Sequence, residues 1–145
     1  MRTAAATDPM GAVFAVLFAA CGGSSTIQAG TAAQACGPAD GPALVVVVTP
    51  QPLACGAASP GKRLTIQVDG GAIDRTGHFP VGSGPSTCTV QLCSSDICRV
   101  ADRGAFDVVE VGATTMRVTW SVDFDEHDEG QAQLVVCATS PQPCG

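Results

Sequence analysis

The stretch TMRVTWSVDF (115–124) alternates without a break: Met116, Val118, Trp120, Val122 and Phe124 fall on one side, and Thr115, Arg117, Thr119, Ser121 and Asp123 on the other. Successive side chains of an extended strand point to opposite faces, so a period of two places one face in a core and the other in water. GAFDVVEV (104–111) precedes this strand and GQAQLVVCA (130–138) follows it, predicting a three-stranded meander. Its turns fall at Gly112 and Ala113 and at an acidic loop ending in Gly130. Further back, LTIQVDGG (64–71) alternates Leu64, Ile66 and Val68 with Thr65, Gln67 and Asp69, then closes on an Asp-Gly-Gly turn signal. TCTVQLC (87–93) places Cys88, Val90 and Leu92 opposite Thr89, Gln91 and Cys93, and ALVVVV (43–48) is a continuous apolar run of strand length. No window carries the i, i+3, i+4 spacing of an amphipathic helix. Residues 43–145 therefore predict an all-β domain, an antiparallel sandwich or flattened barrel of six to eight short strands.

The amino-terminal end obeys a different rule. MGAVFAVLFAA (10–20) is uncharged and follows a short segment carrying Arg2, which is the layout of a secretory signal. Eleven residues at about 1.5 Å each cover roughly half of a hydrocarbon core about 30 Å thick, too little for a helical anchor. The run ends in LFAAC (17–21), with two small residues before a cysteine. This order resembles a bacterial lipobox. The resemblance implies that residues 1–20 are removed and that Cys21, acylated, becomes the new terminus. It implies attachment to the lipid bilayer of a bacterial cell envelope, at the outer membrane. An ordinary cleaved signal followed by an unrelated cysteine is the alternative. The next stretch, GGSSTIQAGTAAQACGPADGP (22–42), lacks hydrophobic periodicity and reads, with Cys21, as a linker spanning about 25 Å if it behaves as a Gly/Ser-type coil. In the other reading, part of it packs on the domain through Cys36.

The chain holds 7 basic and 13 acidic residues, a net charge of −6. Loss of residues 1–20 removes Arg2 and Asp8 and leaves that balance unchanged. An acidic chain is repelled by phosphate backbones and anionic headgroups, which argues against nucleic-acid partners and against electrostatic binding to a membrane surface. Within the domain, GHFPVG (77–82), RGAFDVVEV (103–111), MRVTWSVDFD (116–125) and LVVC (134–137) are similar to the small β domains of uncharacterised lipoproteins of diderm bacteria. That likeness implies an extracytoplasmic all-β module with no assigned activity and an unknown protein or cell-wall partner.

Eight cysteines in a chain bound for an oxidising space predict disulfides. With Cys21 acylated, Cys36, Cys55, Cys88, Cys93, Cys98, Cys137 and Cys144 remain, an odd number; an unacylated Cys21 allows four bridges. A turn centred on Ser95 and Asp96 sets Cys93 opposite Cys98, the first pairing expected. Cys36 with Cys55, flanking the Val run, is the second; Cys88, Cys137 and Cys144 stay unassigned. A metal site built from Cys88, Cys93 and Cys98 with His78 or His127 is the competing use, but the five-residue spacing departs from zinc knuckles.

DFDEHDEG (123–130) gathers five carboxylates around His127. Asp123, Asp125 and Asp128 are its candidate calcium ligands, yet the stretch lacks the turn glycine and the closing bidentate Glu of a calcium loop. A solvated hairpin loop is the simpler expectation, with divalent-ion or ligand binding as the alternative. No nucleophile elbow, phosphate loop or His-Glu-x-x-His occurs, and both histidines fall in predicted loops. Trp120 reads as core. The chain is accordingly expected to be a membrane-tethered structural or binding module without a cofactor and not an enzyme, a small hydrolase being the last alternative.

Overall fold

The computed structural model describes residues 28–37, 40–138 and 144. Among the described residues it contains nine strands and no helix. They are β1 (Gln28–Cys36), β2 (Pro42–Thr49), β3 (Arg63–Asp69), β4 (Gly77–Pro80), β5 (Cys88–Ser94), β6 (Ile97–Val100), β7 (Arg103–Val111), β8 (Thr115–Asp123) and β9 (His127–Val136). All join one curled sheet, a half-barrel in the order β4-β7-β8-β9-β1-β2-β3-β5-β6.

The alternation in β8 survives intact: Met116, Val118, Trp120 and Val122 are buried, while Thr115, Arg117 and Ser121 are exposed. β7 and β9 flank β8 antiparallel as a meander. Their inner side chains meet those of β2, β3 and β5 in one core, where Leu44, Ile66, Val90, Phe106, Val118 and Leu134 are fully buried. Burying a side chain of this size stabilises the fold by about 1.5–3 kcal/mol, so the concave face supplies most of the driving force.

Eight strands fall where a domain beginning near residue 43 was expected. The ninth, β1, occupies the stretch read as linker. It pairs antiparallel with β2 and parallel with β9, so it joins the two halves of the sheet. The parallel contact breaks the expected all-antiparallel pattern. β1 escapes a periodicity reading because its buried positions are small: Gly30, Thr31 and Ala32. Size is limiting there, since a Cβ on Gly30 would lie 2.0 Å from the Val47 carbonyl oxygen. Gln34 then locks the strand by satisfying three backbone groups. Its Nε2 donates to the Ala43 and Gly71 carbonyls at 2.8 and 3.0 Å, and its Oε1 accepts from the Ile73 N–H at 3.1 Å.

Only two residues separate β6, at one end of the sheet, from β7 near the other. Ala101 N donates to Val90 O and Asp102 N to Asp123 O, each at 2.8 Å. This crossing and the Val81–Cys88 bridge hold the curl.

Candidate functional site

Among the described residues, three disulfides pin the sheet. Cys93 and Cys98 are directly opposed across the β5–β6 hairpin and bonded to each other. The expected Cys36–Cys55 pairing does not form: Cys36 joins Cys144, and Cys55 joins Cys137. Both partners come from the end of the chain, brought beside β1 because β9 pairs with it, a neighbourhood that local spacing does not encode. With Cys93 and Cys98 oxidised, the Cys88, Cys93, Cys98 metal set loses two of its thiols. Cys88 remains a thiol, 1% exposed, its Sγ 3.2 Å from the Phe79 carbonyl oxygen. Burial pushes its pKa up to about 11, with Asp107 adding to the rise and a backbone hydrogen bond at Phe106 opposing it. Such a thiol is protonated and unreactive at neutral pH. Cys21 and the signal region 1–20 lie outside the described residues.

The acidic segment forms the end of the β8–β9 hairpin. Its three candidate calcium ligands are divided among four different partners. Asp123 Oδ2 accepts from Arg103 Nε at 2.6 Å and its Oδ1 meets His127 Nδ1 at 2.5 Å. Asp125 pairs with Arg99 at 3.3 Å, and Asp128 Oδ1 accepts from Trp120 Nε1–H at 2.7 Å. No group of three or more His, Cys, Asp or Glu side chains among the described residues is arranged to hold a metal.

Register places Asp123 opposite His127 and Ser121 opposite Glu129 on the outer face. Ser121 Oγ lies 3.4 Å from His127 Nε2, so Ser121, His127 and Asp123 follow the order of a hydrolytic triad. The electrostatics oppose that use. The hydrogen bond that His127 makes to Asp123 raises the pKa of His127 above its usual value, and Glu129, 3.6 Å from Nε2, adds to the rise. Asp123 is lowered in turn, first by His127 and then by Arg103. The charged imidazole, the form that cannot take a proton from serine, is thereby favoured to higher pH than in an isolated histidine. Ser121 also lies within a paired strand, where the ladder uses backbone N–H groups that could otherwise hold an oxyanion. The second pair on this face, His78 Nδ1 with Asp107 at 2.6 Å, joins β4 to β7 and has no serine among the described residues hydrogen-bonded to it.

A cleft of about 280 Å³ opens at the end of the sheet where β1 begins. Leu64, Leu92 and Trp120 form part of its wall, and Lys62, Arg63 and Asp128 bring charge to it. Trp120 is thus both core and lining: it is 4% exposed, and its ring fits because Gly130 lies opposite. A Cβ on Gly130 would lie 2.5 Å from the indole. Arg63 Nη1 donates to the Ser59 carbonyl at 3.0 Å, which holds the guanidinium against the 50–62 loop. Sequence reasoning assigned no role to Lys62 or Arg63. The pair is visible in GKRL (61–64), but its placement beside Trp120 depends on the curl. Compared with known proteins, the chain matches no family model, curated sequence or solved structure.

Proposed function

We propose that the chain is an extracytoplasmic lipoprotein of a bacterial cell envelope, held at the outer membrane by acylated Cys21. Its disulfide-stapled β domain acts as a binding or interaction module without a catalytic role. The observation that carries this reading is the cysteine arithmetic. Six described cysteines pair among themselves, and the seventh, Cys88, sits in the core. A fourth intramolecular bridge from Cys21 would need Cys88, so the even total of eight no longer argues against acylation. Each buried acyl CH₂ contributes about 0.8 kcal/mol, and two or more chains anchor stably. The two-residue crossing from β6 to β7 favours a flattened barrel over a sandwich.

Intact-mass measurement of the protein taken from host membranes, with and without reduction, tests the proposal. The expected product begins at Cys21, carries fatty-acyl mass there and gains six hydrogens on reduction. A different amino terminus, or a gain of eight hydrogens, would overturn it. A hydrolase is the second reading, favoured only by the Ser121–His127–Asp123 order. Turnover of generic esters that His127→Ala abolishes would establish it in place of the non-catalytic module.

A further inference from the structure

The cations of the described chain divide into two groups. Arg75, Arg99, Arg103 and Arg117 each have a carboxylate partner, at 3.7, 3.3, 2.6 and 2.8 Å respectively. Among the described residues Lys62 and Arg63 make no ion pair, in a chain of net charge −6, and both line the same cleft. Two unneutralised cations contributing to one cleft suit a phosphate, which Lys meets as a point charge and Arg, with Nη1 given to the Ser59 carbonyl and its other N–H groups left over, as a planar donor. The cleft also holds an anion. Asp128 has Oδ1 committed to the Trp120 indole, which fixes the carboxylate and leaves Oδ2 for a ligand. Leu64, Leu92 and Trp120 supply an apolar wall between the charges. The complement of this lining is a molecule with a phosphate, a nearby ammonium and an apolar body.

Covalent geometry says where such a molecule would come from. Gln28, the first residue of β1, lies on the cleft, seven residues after Cys21. Seven residues cannot span more than about 25 Å however they are arranged. The Cys36–Cys144 bridge, at the other end of β1, lies roughly another 26 Å away along a nine-residue strand. An acyl anchor on Cys21 therefore holds the cleft end of the sheet, not the far end, next to the bilayer.

We infer that the cleft takes the aminophosphate headgroup of a bilayer phospholipid, with its phosphate on Lys62 and Arg63, its ammonium on Asp128 and its first methylenes along Leu64, Leu92 and Trp120. The placement at the membrane rests on the lipoprotein reading above; the charge complementarity does not.

Trp120 is the only tryptophan, so intrinsic emission reports on the cleft. The full chain, in phosphate-free nonionic detergent, is titrated with short-chain phosphatidylethanolamine. Phosphatidylglycerol, free phosphoethanolamine and inorganic phosphate form separate arms. A saturable emission change is expected with phosphatidylethanolamine, at lower concentration than with any other arm. Lys62→Gln combined with Arg63→Gln weakens it by about 10-fold or more, the range for losing charged hydrogen bonds. Asp128→Asn removes the preference over phosphatidylglycerol. Lys62→Gln alone, at a surface position, keeps the melting temperature and still weakens binding. No change in emission with phosphatidylethanolamine, or an affinity indifferent to Lys62 and Arg63, overturns the inference. Phosphoethanolamine or phosphate binding as tightly as the lipid overturns the lipid source. Repeating the titration with Cys21→Ser separates the two proposals. Retained binding by a chain that proves unacylated in the host refutes the anchor and keeps the cleft, whereas an acylated chain blind to the lipid refutes the cleft and keeps the anchor.

Discussion

β8 and β1 are both interior strands with a partner on each side, and they are held by opposite means. β8 buries four large side chains from Met116 to Val122, and its position follows from their volume. β1 buries only Gly30, Thr31 and Ala32 and is held by its neighbours: two ladders, the three hydrogen bonds of Gln34 and a disulfide at its end. A strand fixed by volume announces itself in its own residues. One fixed by partners is specified elsewhere in the chain.

The contrast is tested most severely at Cys36–Cys144. The bridge closes a separation of 108 residues, for which restriction of the unfolded chain predicts about 5 kcal/mol. Replacing both cysteines with serine should lower the unfolding free energy read from urea titration by most of that amount and expose β1 amides to hydrogen exchange ahead of those in β8. Equal exchange in the two strands would show that β1 does not depend on its staple. In β8 the counterpart is Trp120→Ala, expected to cost about 3–5 kcal/mol through the cavity left opposite Gly130. Here the loss should be global, with β8 and its neighbours opening together. A smaller effect follows from Gln34→Ala. It removes three hydrogen bonds to backbone groups and should cost about 1–3 kcal/mol, again felt first in β1 and at Ile73. Gln34→Glu discriminates further: it keeps an acceptor for Ile73 N–H but loses both donors, so it should recover only part of the stability.

The same division explains what could be read before the fold was known. The 115–124 alternation, the meander around it and the Cys93–Cys98 hairpin are local, each read from one continuous stretch of chain. β1, the parallel contact with β9 and the partners of Cys36 and Cys55 are non-local. Nothing in QAGTAAQAC distinguishes a buried strand from a linker, because Ala and Gly fill a crowded position as well as an open one. The cleft is non-local too. Trp120 is a core residue, as its alternation predicts, but it shares a cleft with Lys62, Arg63 and Asp128 only once β3 and β9 have been curled to the same end. The acidic run is mixed in this respect: its charge is plain in the sequence, whereas the division of its carboxylates among Arg103, Arg99, His127 and Trp120 depends on cross-strand register and on the curl of the sheet.

That register carries the smallest predicted effect. His127 is charged over a wider pH range than an isolated histidine, since Asp123 and Glu129 both favour its protonated form. A raised folded-state value means that any stability it lends is fully present below the unfolded value, near 6.5, and fades as pH rises through the folded one. The group is solvent-exposed and screened by salt, so unfolding curves should barely register it, and proton NMR of the imidazole is the sensitive measurement. Its midpoint should lie above 6.5 at low ionic strength, fall most with Asp123→Asn, fall less with Glu129→Gln and stay put with Ser121→Ala. A midpoint at or below the ordinary value would remove the electrostatic objection to Ser121 as a nucleophile. β8 would then carry, on its outer face, a chemistry that its inner alternation gives no reason to expect.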